Sequence, residues 1–446
     1  MSNFIDRPRY LCTMGGAVST LKALPRAISI IHAAAGCGGN FGNALNGAAG
    51  YLGSGYCAGQ ALPSSNVFER DIVFGGEERL EEQIASTLEI VDGDLYFVVT
   101  GCMVDIIGDD AMSVARRFNQ QGKPVFAAET GGFKGNAYTG YDIVLSTLFR
   151  DFVEKRPVKN KKIVNLFGLV PIQDVFWKGN LNVLKDLIQK LGYKVNTFFG
   201  EGETIENLKQ AGEAHLNIVV SDVYGVKSAK IFEEVHGVPY IVANLPIGPA
   251  GTKEFLETVG KALGVDELLV SNVIAEEKAR YYSYVERLAD VYNDLDFQRY
   301  SVVVADANYA PALTRFIADD LGWLPELVVI TDLLSEDEEK LVAKKFTAFS
   351  SGVIPKVVFD TDTSNVSKHF NKAWPRNNNN RYFNAFSPAF VFGSSLDREF
   401  ADSLGAAHLS VSYPISNRVV LDRAYLGYSG SLRLIEDVIG LLVGSR

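Results

Sequence analysis

Leu95-Tyr-Phe-Val-Val-Thr-Gly-Cys102 is an apolar, largely β-branched or aromatic run that stops at a glycine and leads straight into a cysteine. A short continuous apolar run with no polar alternation predicts a strand buried on both faces, as in a parallel sheet covered by helices. Ligands of such sheets sit beyond the carboxyl ends of the strands, and Cys102 stands just past one of those ends.

The same unit, a short apolar run followed by a turn and an amphipathic stretch, recurs on both sides of this segment. In the first third it predicts strands over 95–100 and 125–128 with helices over 77–88 and 111–119. In the second it predicts strands over 162–167, 194–199, 216–221 and 240–243 with helices over 180–191, 204–211 and 228–236. In the last it predicts strands over 301–305, 327–330, 356–359 and 389–392 with helices over 311–321 and 335–346. That alternation is the signature of an α/β chain. Charged, poorly periodic stretches at 155–162, read as a linker, and 276–300, read as a long bridging helix, divide it. The expected architecture is three Rossmann-like, doubly wound parallel-sheet domains over 1–158, 159–295 and 296–446.

A chain of 446 residues with 47% apolar content can bury several cores. No apolar run reaches the roughly 18 residues of a membrane span, and no secretory leader opens the sequence, so a cytoplasmic protein is expected. The net charge of −10 argues against nucleic acid or another polyanion as partner.

Of the four cysteines, Cys12, Cys37 and Cys102 stand beside glycines at expected turns, in Cys12-Thr-Met-Gly-Gly16, Gly36-Cys-Gly-Gly39 and Gly101-Cys102. Glycine lets backbone amides approach inorganic sulfide closely, which suits an iron-sulfur cluster. The competing reading is small, inert, buried thiols. No C-x-x-C motif is present, so a metal site must be assembled from distant segments. The interval between Cys12 and Cys37 leaves room for one helix, over 19–33. Cys57 reads as a structural thiol.

Other candidates read as structural. The glycine-rich stretch 36–53 lacks the order of a phosphate-binding loop. The five histidines show no ligand spacing, and no nucleophile-base pair suggests hydrolysis. Asp109-Asp110 after Gly108 offers two carboxylates to a cation, but reads more simply as a helix N-cap with a second acid favoured by the dipole. Asn377-Asn-Asn-Asn380 reads as a polar surface loop.

Taken together, Cys12, His32-Ala-Ala-Ala-Gly-Cys-Gly38, Asp71-Ile-Val-Phe-Gly-Gly76, Thr100-Gly-Cys-Met-Val-Asp-Ile-Ile-Gly-Asp-Asp110, Thr130-Gly-Gly-Phe-Lys-Gly135 and Gly140-Tyr-Asp142 resemble, in order and separation, the component-1 subunits of nitrogenases and nitrogenase-like reductases. The resemblance implies that Cys12, Cys37 and Cys102 supply half of an [8Fe-7S] P-cluster, or a related iron-sulfur cluster, at the interface with a homologous α-type subunit. It also implies an α2β2 heterotetramer and an ATP-dependent iron protein with a [4Fe-4S] cluster as electron donor.

The resemblance further points to the β-type subunit. Where a catalytic-cluster subunit needs a cysteine in its second domain the chain has Ser221, and near Tyr425-Leu-Gly-Tyr-Ser-Gly430 it has no histidine. Pro246-Ile-Gly-Pro-Ala-Gly-Thr252 is similar to the β type as well. Two departures lean toward a nitrogenase-like reductase: Gly132 replaces a serine of molybdenum-type β subunits, and few residues precede Cys12. The chain most resembles the smaller subunits of methylthio-alkane reductases, which implies electron relay for reductive carbon-sulfur cleavage in sulfur metabolism, with the catalytic iron-sulfur cluster in the partner. The alternatives are a β subunit of a nitrogenase reducing N2 and a cluster-assembly scaffold.

Overall fold

The computed structural model describes residues 4–50, 62–295, 297–375 and 386–444. Their strands form three parallel sheets. The first has the order β1-β2-β3, from β1 (Ala27–His32), β2 (Leu95–Thr100) and β3 (Val125–Ala128). The second joins β4 (Asn160–Phe167), β5 (Lys194–Asn196), β6 (Ala214–Val219) and β7 (Tyr240–Val242) in the order β5-β4-β6-β7. The third joins β8 (Tyr300–Ala305), β9 (Leu324–Ile330), β10 (Lys356–Phe359), β11 (Ala389–Gly393) and β12 (Ala407–Ser410) in the order β10-β9-β8-β11-β12.

The apolar runs behave as parallel strands must. Every residue of β2 is buried, and β8 and β9 are buried along most of their length. In the second and third sheets the strand order reverses, at β4 and at β8, so crevices open at the carboxyl ends there.

Several expected elements are corrected. The interval between Cys12 and Cys37 holds a helix, Thr13–Ala23, and then β1, instead of one helix over 19–33. Pro25 cannot continue that helix, and Arg26 turns the chain at a positive φ of 56°. The glycine-rich stretch after Cys37 is helical over Ala35–Gly47. The segment read as a linker already enters β4 at Asn160. The bridging helix begins earlier than expected, at Glu267, ends at Val285, and is followed by short turns of helix to Asp294. β12 and the helices Ala137–Asp151 and Gly248–Ala262 add to the expected set. Cys57 and Asn377–Asn380 lie outside the described residues.

Two glycines set the closest helix crossing. A Cβ on Gly16 would lie 2.0 Å from the Ala137 carbonyl oxygen, and one on Gly140 would lie 2.0 Å from that of Thr13. Helices Thr13–Ala23 and Ala137–Asp151 therefore touch backbone to backbone, which only glycine permits.

The segment before Cys12 is strapped to the third sheet's unit. Arg9, itself buried, donates two hydrogen bonds to Asp397, at 2.8 and 3.1 Å, and one to Thr363 Oγ1 at 2.7 Å. The C-terminal helix Gly427–Gly444 runs back to pack on Gly248–Ala262 and Glu267–Val285. Among the described residues no helix is long and apolar enough to cross a membrane.

Candidate metal centre

Parallel pairing of β1 with β2 sets His32 opposite Thr100, so the segments carrying Cys37 and Cys102 leave the sheet side by side. Each of the three described cysteines stands at a helix N-terminus rather than in an open turn. Cys12 is the N-cap of Thr13–Ala23, Cys37 is the third residue of Ala35–Gly47, and Cys102 is the first residue of Cys102–Ile107. The helix ends add partial positive charge and free N–H groups beside sulfur.

Gly132 is where two of them meet. Its N–H donates to Cys102 Sγ at 3.1 Å. A Cβ built on it would lie 3.2 Å from that sulfur and 3.8 Å from Cys12 Sγ. Asp105 fixes the turn by accepting the Gly131 N–H at 2.9 Å. Thr130 is buried and donates twice to Thr100, from its N–H to Oγ1 and from its hydroxyl to the carbonyl, each at 2.9 Å. Cys12 also bridges antiparallel to Asn136, whose side chain caps helix Ala137–Asp151.

Although Cys12 keeps surface open to solvent, the protein packed around its thiol is the main cause that pushes it up, opposed by the amides of Gly15 and Met14 and reinforced by Cys102. Cys37 is pushed up by burial and then by Cys12 and Cys102. Left bare, the Cys12 and Cys37 thiols resist ionisation, whereas a metal displaces the proton and neutralises the thiolates. Among the described residues no three His, Cys, Asp or Glu side chains converge closely enough to hold a single ion. The donor set is soft and sulfur-only, and two of its members flank a side-chain-free glycine with an N–H aimed at sulfur. That chemistry fits a larger iron-sulfur group bridged by several cysteines.

Behind the thiols, His32 is fully buried, with Nε2 3.1 Å from Asp109 Oδ2 and Nδ1 2.8 Å from Ser65 Oγ. Burial lowers its pKa, against the pull of Asp109. Asp109 also accepts the Gly76 N–H, at 3.0 and 3.1 Å. Its place is therefore in a buried hydrogen-bond network, a correction to its reading as a dipole-favoured acid. Asp110 is the N-cap expected, accepting from the Ser113 N–H at 2.8 Å. Asp142 reaches across to helix Val226–His236 and accepts from the backbone of Gly225 and Ser228.

The surface around the cysteines is apolar. Cys12 and Cys102 are exposed, as are Val73, Phe74, Ile106 and Phe133, with Phe74 82% and Ile106 74% exposed. Val73 and Phe74 belong to helix Glu69–Phe74, which contacts Cys102–Ile107. Large side chains left open in this way mark a face built for another protein surface.

At the carboxyl ends of the second and third sheets, a cleft of about 160 Å3 lined by Asn244, Leu245, Glu254, Asn308 and Arg315 lies beside a part of the crevice that side chains fill. Tyr138, Val170, Asp174, Tyr224, Asp306, Asn308 and Tyr309 line a cavity of only about 10 Å3, room for one water at most. Ser221, at the position compared above with a cluster ligand, is buried and accepts from the N–H groups of Val223 and Tyr224 at 3.1 and 2.9 Å. Tyr425 is buried and donates its hydroxyl to Asp437 at 2.6 Å. Sequence reasoning misses this crevice because its residues come from the ends of strands far apart in the chain.

Residues 12–442 match the family described as nitrogenase component 1 type oxidoreductase, and the chain belongs to it. Among relatives, a nitrogenase molybdenum-iron protein beta chain of Methanococcus maripaludis is 22% identical over 98% of this chain and 94% of its own length. A nitrogenase molybdenum-iron protein alpha chain of Methanosarcina barkeri is 29% identical over 58% of this chain, and the match spans only 49% of that alpha chain. A light-independent protochlorophyllide reductase chain of Staurastrum punctulatum is 24% identical over 84% of this chain and 72% of its own. The solved structure titled Nitrogenase Cp1 at pH 6.5 superposes with a TM-score of 0.80 at 19% identity, covering 100% of this chain and 94% of that one, and so shares its fold.

Proposed function

We propose that this chain is the β-type subunit of a nitrogenase-like reductase, and that it holds half of a P-type [8Fe-7S] cluster through Cys12, Cys37 and Cys102. The observation that carries the reading is the meeting of Cys12 and Cys102 at Gly132, on a face ringed by exposed apolar side chains. A homologous α-type subunit would cover that face and supply the remaining ligands, giving an α2β2 assembly. The end-to-end likeness to beta chains supports the assignment. When bound, the cluster accepts and passes on single electrons. The chain's own residues do the positioning. Helix N-termini and the Gly132 N–H stabilise negative charge on sulfur, and hydrogen bonds to the sulfurs together with burial set the potential.

The packing around Asp174, Tyr224 and Asp306 supports the second half of the proposal, that substrate chemistry belongs to the partner: the space among these side chains has no room for a large group. By resemblance to methylthio-alkane reductases the substrate class is small methylthio compounds, cleaved reductively at a carbon-sulfur bond with electrons from an ATP-dependent iron protein. Anaerobic co-purification with the α-type subunit, followed by iron and sulfide determination and turnover with methylthio-alkanes, tests this. Iron-free protein would overturn the cluster assignment. An iron-loaded complex that reduces N2 but not methylthio compounds would overturn the substrate class, and one that only hands clusters to an acceptor would favour a scaffold.

A further inference from the structure

The filled crevice holds an arrangement that electron relay does not use. Asp306 follows β8, Asp332 follows β9, Tyr224 follows β6, Asp174 follows β4, and Tyr138 opens the helix after β3, so all three sheets contribute. All five side chains are more than nine-tenths buried. The Asp332 carboxyl accepts from the Tyr224 hydroxyl and, at 2.6 Å, from the Ala307 N–H, which sets it against the peptide next to Asp306. Asp306 Oδ1 accepts from the N–H groups of Asn308 and Tyr309, both at 2.9 Å. Tyr138 and Tyr224 stack with ring centroids 4.0 Å apart. Across the second and third sheets, the Tyr309 hydroxyl donates to Asp174 at 3.2 Å, and Asn180 bonds Asp174 at 3.1 Å.

Donors to these carboxyls are hydroxyls, an amide side chain and backbone N–H groups, and the space beside them takes one water at most. Two carboxylates buried in so dry a place among neutral donors alone do not both carry a charge. We propose that at least one of Asp306 and Asp332 is protonated at neutral pH, and that this buried proton locks the carboxyl ends of the three sheets together and releases them as pH rises.

The electrostatics agree in direction. Burial, and then Asp306, raises Asp332, and burial raises Asp306. Burial is the main cause that pushes Asp174 up to about 7, and Asp306 adds to it. The titratable groups facing the pair are Tyr138 from the first sheet's unit, Tyr224 and Asp174 from the second, Tyr309 from the third and Tyr10 from the N-terminal strap. Burial is the leading cause raising each tyrosine as well, so all remain neutral donors. A carboxyl raised in the folded state adds stability in full below its unfolded value, near 3.9, and loses it as pH climbs through the folded value.

The test uses the full-length protein in its native assembly. Infrared difference spectra at pH 7 should show protonated-carboxyl C=O band intensity that is clearly reduced in Asp332→Asn. The denaturation midpoint should fall between pH 6 and pH 9 in the wild type and fall more gently in Asp332→Asn, because asparagine mimics the neutral acid while Asp174 and Asp320, each pushed up to about 7 by burial, still titrate. Absence of the band from wild-type protein at pH 7 would overturn the proposal, as would an unchanged pH slope in the variant. Should Asp332→Asn not assemble, the wild-type band and its upshift in Tyr224→Phe, which removes a hydrogen bond to the carboxyl, decide the question. A band unmoved by Tyr224→Phe would place the proton elsewhere.

Discussion

Gly132 and Cys102 are joined by an N–H···S hydrogen bond of 3.1 Å, and the missing side chain of Gly132 leaves the space between Cys102 and Cys12 open. Gly132 does not need a positive φ, so the reason for glycine here is room near sulfur rather than backbone conformation. Gly132→Ser should therefore fold with small local shifts and bring a hydroxyl within reach of both sulfurs. The expected result is unchanged iron content with an altered EPR spectrum of the oxidised state. A spectrum identical to wild type would show that this position does not face the cluster.

Replacing Cys12, Cys37 or Cys102 by Ala should cost most of the complex's non-iron-protein iron linked to electron relay, because ligation needs a thiolate. Cys57→Ser should be far milder. Iron determination and EPR on the four variants check this, and equal losses in all four would make Cys57 a ligand too.

The glycine crossing should be intolerant. Gly16→Ala and Gly140→Ala each drive a methyl group against backbone 2.0 Å away. Overpacking of this kind costs about 1–3 kcal/mol or more. Denaturation midpoints should drop accordingly, and Cys12, the N-cap of one of the two helices, should change its alkylation rate in iron-free protein. Midpoints equal to wild type would mean the helices do not cross this closely.

The buried Arg9–Asp397 pair gives a separate test of the N-terminal strap. Arg9→Met leaves Asp397 buried and unpaired, at a cost of about 3–5 kcal/mol, whereas Arg9→Met combined with Asp397→Leu should recover most of it. A single variant as stable as wild type would show that the strap is not docked on the third sheet's unit.

At acid pH His32 acts in the same direction as His236 and His408, whose pKa values burial also lowers. Burial lowers its pKa, so the unfolded chain, at about 6.5, takes up a proton that the folded chain resists. This contribution is present above pH 6.5 and is lost as pH falls below it. His32→Gln should shallow the loss of stability between pH 7 and pH 5, read from denaturation midpoints at each pH. An unaltered slope would mean that His32 is already charged in the fold.

What the sequence disclosed follows from how parallel sheets are built. Strands such as Leu95–Thr100 and Leu324–Ile330 are buried along most or all of their length, so their apolar runs stand out from the helices around them. β1 is hidden because its apolar residues follow an apolar helix after only a short turn at Pro25 and Arg26. Ala35–Gly47 is hidden because five of its residues are glycines of low helix propensity, and the helix is held by packing of Phe41 and Leu45. The thiols are legible because motifs of Gly and Cys carry a likeness to a known family. The Tyr138, Tyr224, Asp306 and Asp332 cluster is not, because no local pattern announces residues that meet only when three sheets come together.

The most direct measurement is an iron-edge anomalous diffraction map of the anaerobically purified native assembly. The expected result is iron density against the sulfurs of Cys12, Cys37 and Cys102, bridging to a partner subunit, with none in the crevice lined by Asp174, Tyr224 and Asp306. Iron lodged in that crevice, or no iron at the three thiols, would contradict the assignment of this chain as the cluster-sharing β-type subunit.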